Sequence, residues 1–369
     1  MSEQNIFSLA NVERLLDPRI KKGITRGAPT GFRSLNRKWS LKKGYTTSIF
    51  AAAGQGKSIL ALEIAMNLAE FEGWTWCIYT PETGTVVDVY IELLWMYNGI
   101  KVESQTKKQL QKAKDFIGKH FFVIDFDAND MIRESKAKGE KGKLDFSEKG
   151  IKDPSVNDIY KQAYDLEEKS GITLDGILID PFTELSLPNE NGLREDLNYG
   201  VHLSRCIRHS KRRNIHSIIT FHTSKQNMKT WNGISYTDIP HPSEIVNGMM
   251  THRKSYMMLS TWIPPVGMPN PQNDNKPFEP FETILTISKV KPKLIGAKGQ
   301  ISLFYDQDRN RYYEKENNGS RTYASKDANV PTEASEEEVD INQIDLEHSI
   351  SAAEFNSVKI DPCDTDVAF

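Results

Sequence analysis

The chain has 369 residues, 38% hydrophobic and 26% charged, the composition of a soluble globular protein, and its three scattered cysteines (Cys77, Cys206, Cys363) exclude a disulfide framework or a cysteine-rich zinc site. No run approaches the ~20 apolar residues of a membrane span, and the N-terminus lacks the basic start and apolar core of a secretory signal, so a reduced cytoplasmic compartment without membrane contact is expected. The net charge of −3 divides unevenly: residues 327–369 carry twelve acids and one base (Lys359), a net of −11, which leaves +8 on residues 1–326. A basic body with an acidic tail is a profile met in nucleic-acid-handling proteins.

A polar arm over residues 1–24 opens the chain, with a helix predicted over Leu9–Leu16 that stops near Pro18. Tyr45–Ala52 reads as a buried strand, followed by a glycine turn and a helix from Lys57 to about Glu72. A second strand is predicted at Trp74–Thr80, then a helix through VVDVYIELLWMY and a third strand at His120–Phe126. Residues 133–152 are charged and lack periodicity, which predicts a surface insertion. A helix at Asn157–Ser170, a strand at Leu174–Asp180, a helix at Leu193–Arg213 and a strand at His216–His222 follow. SYMMLSTWI and FETILTISKV are late strands around a loop over residues 264–280 that holds six prolines, and ISLFYD with RYYE suggests a closing hairpin. Strands alternating with helices indicate an α/β domain over residues 25–316, a mainly parallel twisted sheet flanked by helices. From 317 to 369 the composition turns to Ser, Glu, Asp and Asn, with too few apolar residues to offset the entropy of ordering, so a disordered acidic tail is expected.

One motif carries the chemistry. Ala51-Ala-Ala53-Gly54-Gln55-Gly56-Lys57-Ser58 stands between an apolar strand and a helix, the Walker A arrangement of a P-loop with alanine at its first position. Small residues let successive backbone N–H groups curl around phosphate oxygens, and the helix start adds its positive dipole end. Lys57 then reaches the β- and γ-phosphates of ATP, and the Ser58 hydroxyl ligates Mg²⁺. A carboxylate at another strand tip is expected to support the metal. Asp180 and Asp125 both fit; Asp180 is favoured because the next strand ends in His222-Thr223-Ser224-Lys225, a polar cluster suited to sensing the γ-phosphate. Glu82, just past the second strand in Thr80-Pro81-Glu82, is a candidate to activate water, with a solvated surface glutamate as the plain alternative.

These residues, in this order, resemble the DnaB-type replicative DNA helicases, the RecA-like P-loop ATPases that include phage primase-helicases and Twinkle. Gly27-Ala-Pro-Thr-Gly31-Phe32-Arg-Ser-Leu35-Asn36 is similar to the family's Pro-Thr-Gly-Phe…Leu-Asp lead-in, and Leu41-Lys-Lys-Gly44 to the turn before the Walker strand. The resemblance covers about residues 20–315 and implies an ATP-hydrolysing motor that uses Mg²⁺-ATP at subunit interfaces. It implies Glu82 as the catalytic glutamate, Asp180 as the Walker B carboxylate and His222 as the sensor histidine. Thr286-Ile-Ser-Lys289-Val-Lys291 matches the late strand whose Lys-x-Arg reaches a neighbouring subunit's ATP, which makes Lys289 and Lys291 trans residues. Here the sequence departs from the family, because Lys291 stands at the arginine position and offers a point charge without a planar fork. Lys293 could share the role, or the three lysines could merely alternate along an edge strand.

The resemblance further implies a homo-oligomer, expected as a hexamer, that holds single-stranded DNA in a central channel through two segments, residues 185–195 and 224–242. The second offers Lys225, Lys229, Trp231 and Tyr236, cations for phosphates and aromatic faces for bases, and the first offers Arg194. No helical domain, primase module or zinc motif precedes the motor, and the arm before Thr25 is expected as a linker helix docking on the adjacent subunit; so compact a motor suggests a phage or mobile-element origin. The tail ends on Phe369 after an acidic string, as in single-stranded DNA-binding proteins, and implies a replication partner such as a polymerase, primase or binding protein. Two other functions fit the same residues: a recombinase-like ATPase that forms filaments on DNA, and a nucleotide-gated loader or scaffold with little hydrolysis.

Overall fold

The computed structural model describes residues 8–22, 26–126, 153–189, 192–224, 227–271 and 273–326. The insertion expected at 133–152, Lys225 and the tail beyond 326 lie outside these residues. Ten strands form one sheet in the order β12-β11-β10-β9-β8-β1-β5-β4-β2-β3. Its parallel half comprises β1 (Thr46–Ala51), β2 (Trp76–Tyr79), β3 (Phe121–Val123), β4 (Gly176–Ile179), β5 (His216–His222) and β8 (Met257–Trp262). The antiparallel half comprises β9 (Glu282–Val290), β10 (Gly299–Asp306), β11 (Arg311–Lys315) and β12 (Arg321–Tyr323). The remaining pair, β6 (Met228–Trp231) and β7 (Ile234–Thr237), forms a separate hairpin.

Strand periodicity divides the core into two layers. Ile49, Trp76, Ile78, Leu178, Ile218 and Leu259 pack on one face, and Phe50, Cys77, Ile177, Ile179, Ile219 and Met258 on the other. The parallel strands are therefore apolar on both faces, and helices must cover both. The first layer takes α3 (Lys57–Glu72), α4 (Val86–Asn98) and α5 (Lys107–His120); the second takes α6 (Val156–Ser170) and α7 (Glu195–Arg213). Three of these helices begin with reciprocal capping boxes, Thr85 with Asp88, Thr106 with Gln109 and Ser155 with Asp158, each satisfying N–H groups that a helix start leaves open. Where β2 and β4 pair, Gly176 faces Trp76 so closely that a Cβ would lie 2.3 Å from the indole ring.

Six elements depart from the sequence expectation. The N-terminal helix, α1 (Leu9–Lys22), continues past Pro18, since proline removes one N–H bond without compelling a break in a helix end. α5 occupies a stretch with no predicted element and extends to His120, so β3 begins one residue later than expected. The end of the lead-in forms a short helix, α2 (Arg33–Lys38), and α8 (Gly248–Lys254) precedes β8. Finally, β12 lies inside the segment expected to be disordered from 317, because Tyr323 pairs with Tyr313 and extends the antiparallel edge.

Candidate nucleotide site

The P-loop occupies the carboxyl end of β1, where α/β sheets place ligands. Gly54 and Gly56 adopt φ of 74° and 78°, left-handed angles that curl the loop and favour glycine. Gly56 is also the N-cap of α3, so the phosphate-facing amides lead directly into a helix start. Tyr312 of β11 leans over this turn and donates its hydroxyl to the Gly56 carbonyl at 3.5 Å. Gln55 turns away from the loop, its side-chain oxygen accepting from the Ile263 N–H at 2.6 Å. Beside the loop a cleft of about 650 Å³ runs between Lys57, Ile263, Phe281, Tyr305 and Tyr312, large enough and apolar enough for a nucleoside.

Four separated segments bring charge to the loop. Lys57 is buried, and its ammonium lies 3.8 Å from the Glu82 carboxylate. Glu82 stands in a single 3-10 turn, Pro81–Thr83, that the Thr80–Thr83 hydroxyl contact of 2.6 Å helps to fix. His222, the last residue of β5, meets both oxygens of Glu82 through Nε2, at 2.9 and 3.0 Å. An ionised carboxylate only accepts, so the imidazole carries its hydrogen on Nε2 in this bond. Asp180 follows β4 and is only 2% exposed; its two oxygens accept from the hydroxyls of Thr220 and Thr80.

Topology separates Asp180 from its rival. β4 is two strands from β1 in the sheet, with β5 between, whereas β3 and the Asp125 that follows it lie at the far edge. The oxygens of Ser58 and Asp180 are hard donors of the kind Mg²⁺ takes. With both carboxylate oxygens already engaged by threonines, a hold on the ion through water suits Asp180. Sequence reasoning does not single out Thr220 or Thr80. A signal exists for Thr220, which shares a strand face with His222 two residues on and stands level with the residue after β4, since Ile179 pairs with Ile219.

The late lysines lie elsewhere. Val290 pairs with Met257, which pairs with Thr47 at the start of β1, so Lys291 sits at the opposite end of the sheet from the P-loop. At ~3.3 Å per strand residue, that is roughly 15 Å away along the strands. Lys289 is buried, and its ammonium donates to the His252 and Arg253 carbonyls at the end of α8. Burial, with Lys291 and Lys298 nearby, pushes its pKa down to about 8. Within its own chain, the Lys289 ammonium is thus directed at helix-end carbonyls. Lys291 and Lys293 are exposed.

The expected DNA-contacting residues stand in two other segments. Lys229 and Trp231 belong to the hairpin, where Asn232-Gly233 makes the turn with φ of 48° and 79°, a left-handed pair that Asn-Gly favours. That dipeptide is the sequence signal for two strands in a segment otherwise read as a loop. Lys229 pairs with Asp238 at 2.6 Å, Tyr236 packs near Trp262 and Phe278, and Arg194 pairs with Asp196 at 2.7 Å.

No family model matches the sequence, and no curated protein matches it. Among solved structures, one ATPase domain superposes with a TM-score of 0.61 at 14% identity, covering 85% of this chain and 100% of that one. A DnaB-like replicative helicase, described with its interactions with primase, gives 0.58 at 15% identity over 85% of this chain and 68% of that chain. The fold is the RecA-like one of DnaB-type helicase ATPase domains. In this RecA-like core the Walker strand, the Glu82 turn, the Asp180 strand and the His222 strand are neighbours around one loop. No helix among the described residues is long and apolar enough to cross a membrane.

Proposed function

We propose that the chain is an ATP-driven DNA helicase motor that works as a ring of identical subunits. The observation that carries this reading is the continuous line Lys57–Glu82–His222 beside the P-loop, with Asp180 buried next to it. The amides from Ala53 to Lys57 wrap the phosphates of ATP, and Lys57 balances their charge. Mg²⁺, when bound, neutralises phosphate oxygens; Ser58 and Asp180 are the side chains that hold it. Glu82 orients the attacking water and takes its proton, a role worth about 10²–10⁴-fold in rate. His222 shares the carboxylate of Glu82 and closes β5, and the hairpin that starts at Met228 follows it in the chain, so a change at the γ-phosphate has a short covalent route to the segment assigned to DNA. Such loss of a phosphate contact is a recurrent switch in P-loop proteins.

Lys291 cannot serve its own nucleotide from the far end of the sheet, which supports its service to a neighbouring subunit. In this reading the hairpin, with Lys229 and Trp231, and the Arg194 segment hold single-stranded DNA. The acidic tail is assigned to a replication partner.

Strand displacement on forked DNA tests the proposal. ATP-dependent unwinding is expected, absent with a non-hydrolysable analogue and in Lys57→Ala and Glu82→Gln. DNA-stimulated hydrolysis without unwinding would reduce the protein to a DNA-binding ATPase.

A further inference from the structure

A second cavity, of about 430 Å³, lies between the end of β7, the proline-rich loop and the β9–β10 pair. It shares no lining residue with the nucleotide cleft. Trp262, Phe278 and Ile284 form its floor and make a small hydrophobic cluster apart from the two core layers. The two rings meet edge to face, with centroids 5.5 Å apart. The Trp262 indole N–H donates to the Thr237 carbonyl at 2.6 Å, so the ring is anchored to the strand that ends the hairpin. Around the rim stand Asp238, Asn273 and Gln300, and among the described residues no lysine or arginine lines the cavity.

This chemistry selects against phosphate and for a planar heterocycle. Aromatic and aliphatic walls accept a ring face, and the amides of Asn273 and Gln300 can both donate and accept. The single charge is a carboxylate, which repels anions and accepts from an amino group. Asp238 is anchored for that task because Lys229 holds its Oδ2 at 2.6 Å, and its side chain keeps 41% exposure. Lys229 thus places an exposed cation beside the rim of the cavity, paired with the residue just after the hairpin's end.

We propose that this cavity takes an amino-bearing nucleobase of the bound DNA strand, with Asp238 accepting from the exocyclic amino group. The proposal rests on the DNA-motor reading and deepens it. Cytosine, adenine and guanine carry such a group; thymine presents a carbonyl oxygen where cytosine has its amino group, and a carboxylate repels it.

The test measures binding of short labelled dC, dA and dT homopolymers to the full-length chain by fluorescence anisotropy at one fixed salt concentration. dC and dA are expected to bind about tenfold tighter than dT, the worth of one good base contact. Asp238→Ala and Gln300→Ala bring dC down to the dT level, and circular dichroism melting checks that each remains folded. Should Asp238→Ala prove unstable, Gln300→Ala alone decides. Lys229→Ala weakens all homopolymers, since a phosphate contact does not read sequence, and also narrows the dC preference because Asp238 loses its anchor. Equal affinity for dC and dT in the unsubstituted chain, or a dC preference that survives both rim substitutions, overturns the base pocket alone. Failure of every homopolymer to bind overturns the DNA-motor reading with it. Free deoxycytidine is the competing source: displacement of dC oligomer by micromolar nucleoside would overturn the assignment to a strand.

Discussion

Replacing Gly56 with alanine isolates one contact on which the P-loop depends. The residue holds φ at 78°, and a Cβ there would lie 2.5 Å from the Tyr312 hydroxyl oxygen, with the next ring atom at 3.8 Å. The left-handed angle costs about 1–2 kcal/mol for a residue with a Cβ, and forcing an atom into a packed site costs about 1–3 kcal/mol more. Tyr312→Phe removes the clashing oxygen and leaves the ring carbon at ordinary contact distance, so it relieves the second cost and not the first. A double-mutant cycle by urea unfolding should therefore show Gly56→Ala costing about 2–5 kcal/mol in the natural background and about 1–2 kcal/mol beside Tyr312→Phe. The weak hydroxyl bond to the Gly56 carbonyl is absent throughout the Tyr312→Phe background, so its loss on Gly56→Ala adds to the difference between the two backgrounds. An equal cost for Gly56→Ala in the two backgrounds would refute the reasoning, because it would mean that Tyr312 does not close over the turn.

Other outcomes follow from residues around the same helix. Arg311 bridges Glu63 at 3.2 Å and Glu70 at 3.3 Å, and Glu63 also accepts from the Tyr312 N–H at 2.6 Å. Arg311→Met strands a buried carboxyl and should cost about 3–5 kcal/mol in chemical unfolding; a change under about 1 kcal/mol, the worth of an exposed pair, would show that this one is not buried. Burial pushes the Glu63 carboxyl up from 4.5 to about 7 against the pull of Arg311. The folded state then binds a proton that the unfolded state releases, so the stability from this group is full below about pH 4.5 and is lost as pH rises through about 7. Stability measured from about pH 5 to 8 should fall more steeply in the natural chain than in Glu63→Gln, and parallel profiles would remove Glu63 as the cause. Lys57→Ala and Lys291→Ala subunits should each lack ATPase activity and recover part of it when mixed, since an intact P-loop can then face an intact Lys291. Mixtures that form oligomers without recovery would exclude a trans role for Lys291.

Much of the nucleotide-binding core is readable in the chain itself. The Walker strand, loop and α3 are marked by an apolar run, two glycines and a helical apolar pattern, all local in sequence. The strand at His216–His222 and the helix at Lys57–Glu72 have the expected bounds, because each is defined by its own periodicity and an adjacent turn. What escapes is short or polar: α5 has many lysines on its exposed face, the hairpin has little apolar alternation, and β12 is three residues whose only reason to be a strand is the neighbour it pairs with.

The division also runs through the functional residues. Residue type and local spacing are enough to nominate Gly54, Gly56, Lys57 and Ser58, since a phosphate cradle is built from consecutive amides. The meeting of Glu82, Asp180 and His222 around that cradle is decided by strand order, which sets residues 140 apart in sequence within hydrogen-bond distance. Strand order likewise prefers Asp180 to Asp125, and strand direction turns Lys289 inward while leaving Lys291 exposed at the far end of the sheet. Backbone cradles are local, whereas a sheet gathers side chains from its strand ends. The sequence could therefore declare a nucleotide loop by itself, and only the tertiary structure could assemble the groups proposed to act on the nucleotide.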